Sequence, residues 1–264
     1  MVSRRVVRRR RQVLAGGLLL VAAVSTAAAV SREDAAPAPQ APAAAPVPPS
    51  PSATAARSPA TTAASAPDPV DADPDRAAGV LERRVPDAGT GRRVTVPGTS
   101  AAAPAAEGAR VVQTRVQVEE GLPADHEAVA GTVMAALQDE RGWAPDGWAF
   151  ARTDDAEGSP APDLTVVVAG PDLTDDLCAP LRTRGRLSCA VGDVAVLTWY
   201  RWVEGAEAYG EDRAGYRQYL VSHEVGHTLG HGHVGCPGEG EPAPVMLQQT
   251  KGLQGCAANP WPHP

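Results

Sequence analysis

Lysine is almost missing from this chain: among its 24 basic residues only Lys251 is a lysine, and six arginines crowd into the first eleven positions. The formal charge is −7, and losing those six arginines would make it −13. Phosphate binding depends on clustered Lys and Arg, so so acidic a body excludes nucleic acid as a partner. Cysteine is absent until Cys178 and amounts to four residues, with no CxxC pair among them. That argues against a structural zinc site built on thiolates. Large apolar side chains are scarce from residue 32 to 107, where Ala, Pro, Ser and Thr dominate and 14 of the 26 prolines fall. Such a stretch cannot offset the entropy of ordering and reads as a disordered linker. Within it, Val80, Leu81, Val85, Val94 and Val96 form one candidate patch of order. No internal repeat is present.

What is there begins with an export signal. Basic residues 4–11 precede an uncharged run whose apolar centre covers residues 13–24, and small residues follow to Ala29. That is the order of charged, apolar and small-residue regions in a secretory leader. The apolar run to Val30 is 18 residues, at the lower edge of what spans a bilayer. Residues 1–31 therefore read as a signal peptide or a single-span membrane anchor, with the rest of the chain outside in either case. An even cysteine count in an exported protein implies two disulfides. Three connectivities are possible, and sequence proximity favours Cys178–Cys189 and Cys236–Cys256.

Residues 108–264 are numerous enough to bury a core. Residues 110–118 alternate with period two, as a strand does. Asp125 is placed to cap a helix running to about Glu140, with Val129, Val133, Met134 and Leu137 at helical spacing and Gly142 to end it. Residues 148–152, 164–169 and 193–199 read as further strands, and residues 213–229 as a second helix. Strands and helices mix, and the last third is loop-rich. The expected class is α+β: a small mixed sheet, a helix in the N-terminal half of the domain, an active-site helix, and a disulfide-linked C-terminal third.

The strongest signal is His223-Glu224-Val225-Gly226-His227-Thr228-Leu229-Gly230-His231-Gly232-His233. Histidines four apart on a helix share one face, so His223 and His227 can reach one ion. Glu224 adjoins that face, near enough to serve a reacting water without ligating the metal. Gly230 permits the left-handed turn that stops the helix and brings His233 round as third ligand. Three neutral nitrogens leave one tetrahedral position open, as a catalytic zinc needs. Four of the six histidines fall in this eleven-residue stretch. His231 is the competitor for the third position, and His126 and His263 have no partners nearby in sequence. Trp199, Tyr200 and Trp202 fit core packing better than substrate contact. Asp172, Asp175 and Asp176 lack the loop spacing of a calcium site and read as a solvated, helix-starting turn.

At these residues the chain resembles the metzincin clan of zinc endopeptidases, whose H-E-x-x-H-x-x-G-x-x-H motif is followed by a methionine turn. It is also similar to exported bacterial metzincin-like proteins of unknown function. The candidate turn is Pro244-Val245-Met246-Leu247-Gln248. The resemblance implies one zinc per chain on His223, His227 and His233, Glu224 as general base, and Met246 packed beneath the imidazoles. Many metzincins carry a tyrosine two residues after that methionine; here the position is Gln248. Whether Gln248, Gln249 or a backbone amide serves the oxyanion stays open, and no propeptide cysteine is evident. The expected activity is hydrolysis of peptide bonds in a peptide or protein substrate by a monomer. The alternatives are a zinc-containing binding module, for which Glu224 would be superfluous, and a hydrolase of cell-wall peptides. The expected cleft lies between an edge strand at residues 193–199 and a pocket lined by residues 247–251.

Overall fold

The computed structural model describes residues 73–264 apart from 87, 105 and 106. The expected export segment, residues 1–31, and residues 32–72 of the expected linker lie outside the described residues. Within them the strands are β1 (Arg93–Thr95), β2 (Arg110–Glu119), β3 (Trp148–Thr153), β4 (Leu164–Ala169), β5 (Cys189–Val191) and β6 (Val194–Thr198). The helices are α1 (Pro74–Ala77), α2 (His126–Gln138), α3 (Pro171–Cys178), α4 (Trp199–Glu204) and α5 (Arg213–Thr228). The class is α+β.

All six strands join one mixed sheet in the order β1-β2-β4-β6-β5, with β3 also paired to β2. Strands β2, β3, β4 and β6 run parallel, while β1 and β5 are antiparallel to their neighbours. The alternation in β2 does what period two requires: Val112, Thr114, Val116 and Val118 are buried and the residues between them are not. β4 is buried at every position, as a parallel strand covered on both faces must be. Its Val166 and Val168 pack in the main core with α2 and α5 residues, whereas Val167 and Ala169 pack with Leu173, Cys178 and Cys189. Asp125 caps α2 by accepting from the Ala128 amide at 3.1 Å. The helix ends at Gln138, a turn ahead of Gly142.

Two expectations are overturned. Residues 193–199 are not an edge strand: β6 pairs with β4 on one side and with β5 on the other, Val196 opposite Cys189 and Val194 opposite Val191. The edge is β5, folded back by a two-residue turn in which Gly192 takes φ 62°. Trp199 belongs not to a strand but to α4, whose N-cap Thr198 accepts from the Tyr200 amide. The disordered linker does not extend to residue 107 either. Ala78, Val80 and Val96 enter the core, and β1 pairs with β2. Burying each valine contributes roughly 1.5 kcal/mol, no more than the ~1–2 kcal/mol that ordering one residue's backbone costs. Apolar burial alone would not hold this segment. Its polar ties complete the account: the indole N–H groups of Trp199 and Trp202 donate to the carbonyls of Arg84 and Ala78, each at 3.0 Å.

Cys178 is joined to Cys189 and Cys236 to Cys256. The first bridge ties α3 to the edge strand; the second closes the loop that carries Met246. Among the described residues, no helix is long and apolar enough to cross a membrane.

Candidate metal centre

Helix α5 begins at Asp212, whose side chain accepts from the Gly215 amide at 2.8 Å. Its first half is anchored by charge. Arg217, 1% exposed, donates to Asp75 of α1 at 2.6 Å, to the Trp202 carbonyl at 2.7 Å and to the Pro74 carbonyl at 3.0 Å. Arg213 adds a 3.0 Å contact to the same carboxylate. Burial works to raise the pKa of Asp75, but the two guanidiniums outweigh it and hold the carboxyl below its ordinary value.

The helix ends in a Schellman motif. His231 N–H donates to the Gly226 carbonyl and Gly230 N–H to the His227 carbonyl, each at 3.0 Å, with Gly230 at φ 98°. A side chain at Gly230 would be strained there, so the sharp turn needs glycine. This turn does two things for the site. It swings the His231 carbonyl back to His227 Nδ1 at 2.8 Å, and it returns the chain so that His233 Nε2 lies 3.0 Å from His227 Nε2. His223 Nδ1 meets the Val245 carbonyl at 2.8 Å. A carbonyl only accepts, so Nδ1 of both His223 and His227 carries the proton and each Nε2 presents a lone pair.

His223, His227 and His233 each offer one ligand atom, and these atoms all lie within 4.8 Å of one another. Among the described residues they are the group that can hold a metal ion. A tetrahedral zinc with Zn–N bonds of ~2.0–2.1 Å places its nitrogens about 3.3 Å apart, so the 3.0 Å pair is close to that spacing. The protonation balance also suits a metal. Burial pushes His223 down to about 4, and the nearby imidazoles add to this against the Val245 hydrogen bond. His233 is lowered as well, first by burial. Neutral imidazole is the form that ligates.

Glu224 is 5% exposed, yet its carboxylate has no hydrogen-bond or ion-pair partner among the described residues. Burial pushes its pKa up to about 8, with Lys251 opposing. A cation among the imidazoles would favour the ionised form. Glu224 and the three histidines line one cleft of about 430 Å³. Its other walls come from residues 181–183 and 187–190, which include Cys189 and Ala190 of the edge strand, and from Tyr219, Gln248, Thr250 and Lys251.

Met246 is buried behind this array. A Cβ built on Gly226 would stand 2.5 Å from Met246 Sδ and 2.6 Å from Trp143 Cζ2. The Met246 carbonyl accepts from the Val234 amide at 3.2 Å, directly after His233, while its neighbour Val245 holds His223. One turn thus braces both ends of the histidine set. Of the other expected pocket residues, Leu247 and Gln249 are buried behind the cleft wall. Gln249 is consumed by Tyr209, Asn259 and Pro244, which leaves Gln248 as the glutamine facing the cleft.

A family model described as protein of unknown function, DUF3152, matches residues 82–264. The chain belongs to the DUF3152 family. The comparisons with curated proteins and with solved structures each returned no match. The DUF3152 match covers the whole sheet and every cleft residue, but starts after Asp75, Ala78 and Val80, which the body nevertheless packs.

His231 is exposed and outside the ligand group; its ring stacks on Trp143 with centroids 4.6 Å apart. His263 pairs with Asp146 at 3.0 Å, and His126 opens α2. Trp199 and Trp202 are core residues. Sequence reasoning missed Trp143, whose indole donates to the Ser222 carbonyl at 3.2 Å, and Tyr219, which packs on His223 and donates to the Leu247 carbonyl at 3.0 Å. Tyr219 sits four residues before His223, a helical spacing that could have marked it. Trp143 carried no local signal.

Proposed function

We propose that this protein is an exported zinc metallopeptidase of the metzincin type. The observation that carries the reading is the convergence of three imidazole nitrogens on one point beside a buried carboxylate without a protein partner. His223, His227 and His233 would hold the ion through Nε2. A zinc ion there supplies Lewis-acid activation of water and of a peptide carbonyl. Glu224 accepts the proton from the attacking water as its oxygen bonds to the carbonyl carbon, and passes it to the amide nitrogen as the C–N bond breaks. The Val245 and His231 carbonyls fix two ring orientations, the role of outer-shell partners in metal sites. The outer edge of β5 borders the cleft and offers backbone groups to an extended peptide. A free glutamate at this spot supports an enzyme over a zinc-stapled binding module, since the module has no use for it. Two disulfides support an oxidising, extracytoplasmic setting. Export by residues 1–31, cleaved or retained as an anchor, is part of the proposal.

Two substitutions test it. His227→Ala should lose the single zinc found by metal analysis of the purified chain, because two remaining nitrogens bind weakly; equal zinc content would reject the ligand set. Glu224→Gln should retain zinc and fold while turnover of peptide or isolated cell-wall substrates falls by roughly 10²-fold or more. Equal turnover would remove Glu224 from the chemistry. A wild type inert on every substrate would leave the binding module as the better reading.

A further inference from the structure

The cleft is lined by two basic side chains that the chemistry above does not use. Lys251 closes the 3-10 turn Gln249–Lys251, and Arg182 stands on the loop between α3 and β5; both line the cleft and both are exposed. Neither has a carboxylate at ion-pair distance among the described residues. Arg76, Arg93, Arg110, Arg184, Arg186 and Arg201 also lack such a partner, but none of them lines the cleft. The chain is acidic, and the arginines of α5 and β3 that touch the core are matched with Asp75 and Glu127. The one acid lining the cleft, Glu224, is nearly buried, whereas Thr183, Ser188, Gln248 and Thr250 add groups able to donate hydrogen bonds. The single lysine of the chain therefore stands beside the metal centre.

We infer that this cleft selects a carboxylate on the peptide, bound by Lys251 with Arg182 as the second cation, within a residue or two of the bond presented to the metal centre. The inference rests on the peptidase reading for the kind of ligand but not for catalysis. An ammonium on open surface gains little from an ion pair, but a cleft that partly excludes water strengthens it. The expected discrimination is about fivefold, the upper end for an exposed pair. The carboxylate can come from an Asp or Glu side chain or from a free C-terminus, and both present the same group.

The test uses the full-length, zinc-loaded chain carrying Glu224→Gln, so that binding is read without turnover. The probes are fluorescein-labelled hexapeptide pools with Glu or Gln fixed at a central position, each made as a C-terminal acid and as an amide. Fluorescence anisotropy should show one acidic pool binding about fivefold tighter than its neutral counterpart, with higher ionic strength narrowing the gap. The Glu-against-Gln arm reports a side chain, the acid-against-amide arm a terminus. Adding Lys251→Met should abolish the gap and Lys251→Arg preserve it, with unchanged melting curves. Equal binding of acidic and neutral pools, no binding of any pool, or a gap that survives both Lys251→Met and high salt would overturn the inference. A gap in a protein that never cleaves would uphold it while rejecting the peptidase reading; cleavage without a gap would do the opposite.

Discussion

A methyl group at Gly226 would collide with Met246 Sδ and with the Trp143 ring, which is itself fixed by its bond to Ser222. Two effects of Gly226→Ala oppose each other. Alanine in a helix interior is favoured over glycine by about 1 kcal/mol, while overpacking a tight core costs roughly 1–3 kcal/mol. Contacts of 2.5 and 2.6 Å are too close for the neighbours to absorb without movement, so the clash wins. Gly226→Ala should lower the melting temperature and weaken metal binding at the three histidines, because the atoms displaced belong to the turn whose Val245 carbonyl orients His223. An alanine variant with unchanged melting and unchanged metal affinity, measured by competition with a chelator, would show that Met246 can yield. The methionine turn was legible only through the family resemblance, because the contact of Met246 with Gly226 spans twenty residues and leaves no local pattern.

At the scale of elements, α5 is held at both ends by unlike means. Its C-terminal end is stopped by hydrogen bonds within six residues, and its first half is tied to α1 through Asp75, Arg213 and Arg217. Removing Asp75 leaves Arg217 charged and buried, which costs roughly 3–5 kcal/mol. Asp75→Ala should therefore lower stability by that order in a denaturant titration; a loss under about 1 kcal/mol would mean water reaches the guanidinium. The pH dependence follows from the depressed carboxyl. Its folded pKa lies below the ordinary 3.8, so its contribution is fully present above that value and is lost as pH falls through the folded pKa. Acid melts should show wild type losing its advantage over Asp75→Asn as the pH drops below about 4. An advantage independent of pH would reject the assignment.

For the whole molecule, the question is where the domain begins. A chain cut at Gly108, the boundary read from composition, would lack β1, Val80, Val96 and Asp75, and would leave the indoles of Trp199 and Trp202 without their acceptors. Each such orphaned buried donor costs about 1–3 kcal/mol. Residues 108–264 should therefore fail to give a cooperative melt by circular dichroism, whereas residues 73–264 should fold. A stable, cooperative 108–264 fragment would show that the early segment is only draped on the body.

The sequence by itself determined the features whose causes are local. Helical spacing put His223 and His227 on one face, Gly230 stopped the helix, and period-two alternation marked β2. The short apolar run of residues 164–169 marked β4, and proximity favoured the cysteine pairs that the structure joins. Only the tertiary structure decided that β5, three residues long, forms the edge beside the cleft, because so short a strand has no period to read. It also decided that a proline- and alanine-rich segment docks. That segment's partners lie far along the chain, as Trp202 does from Ala78 and Arg217 from Asp75. Contacts at such separations exist only once the sheet has formed and brought their elements together, so no local pattern announces them.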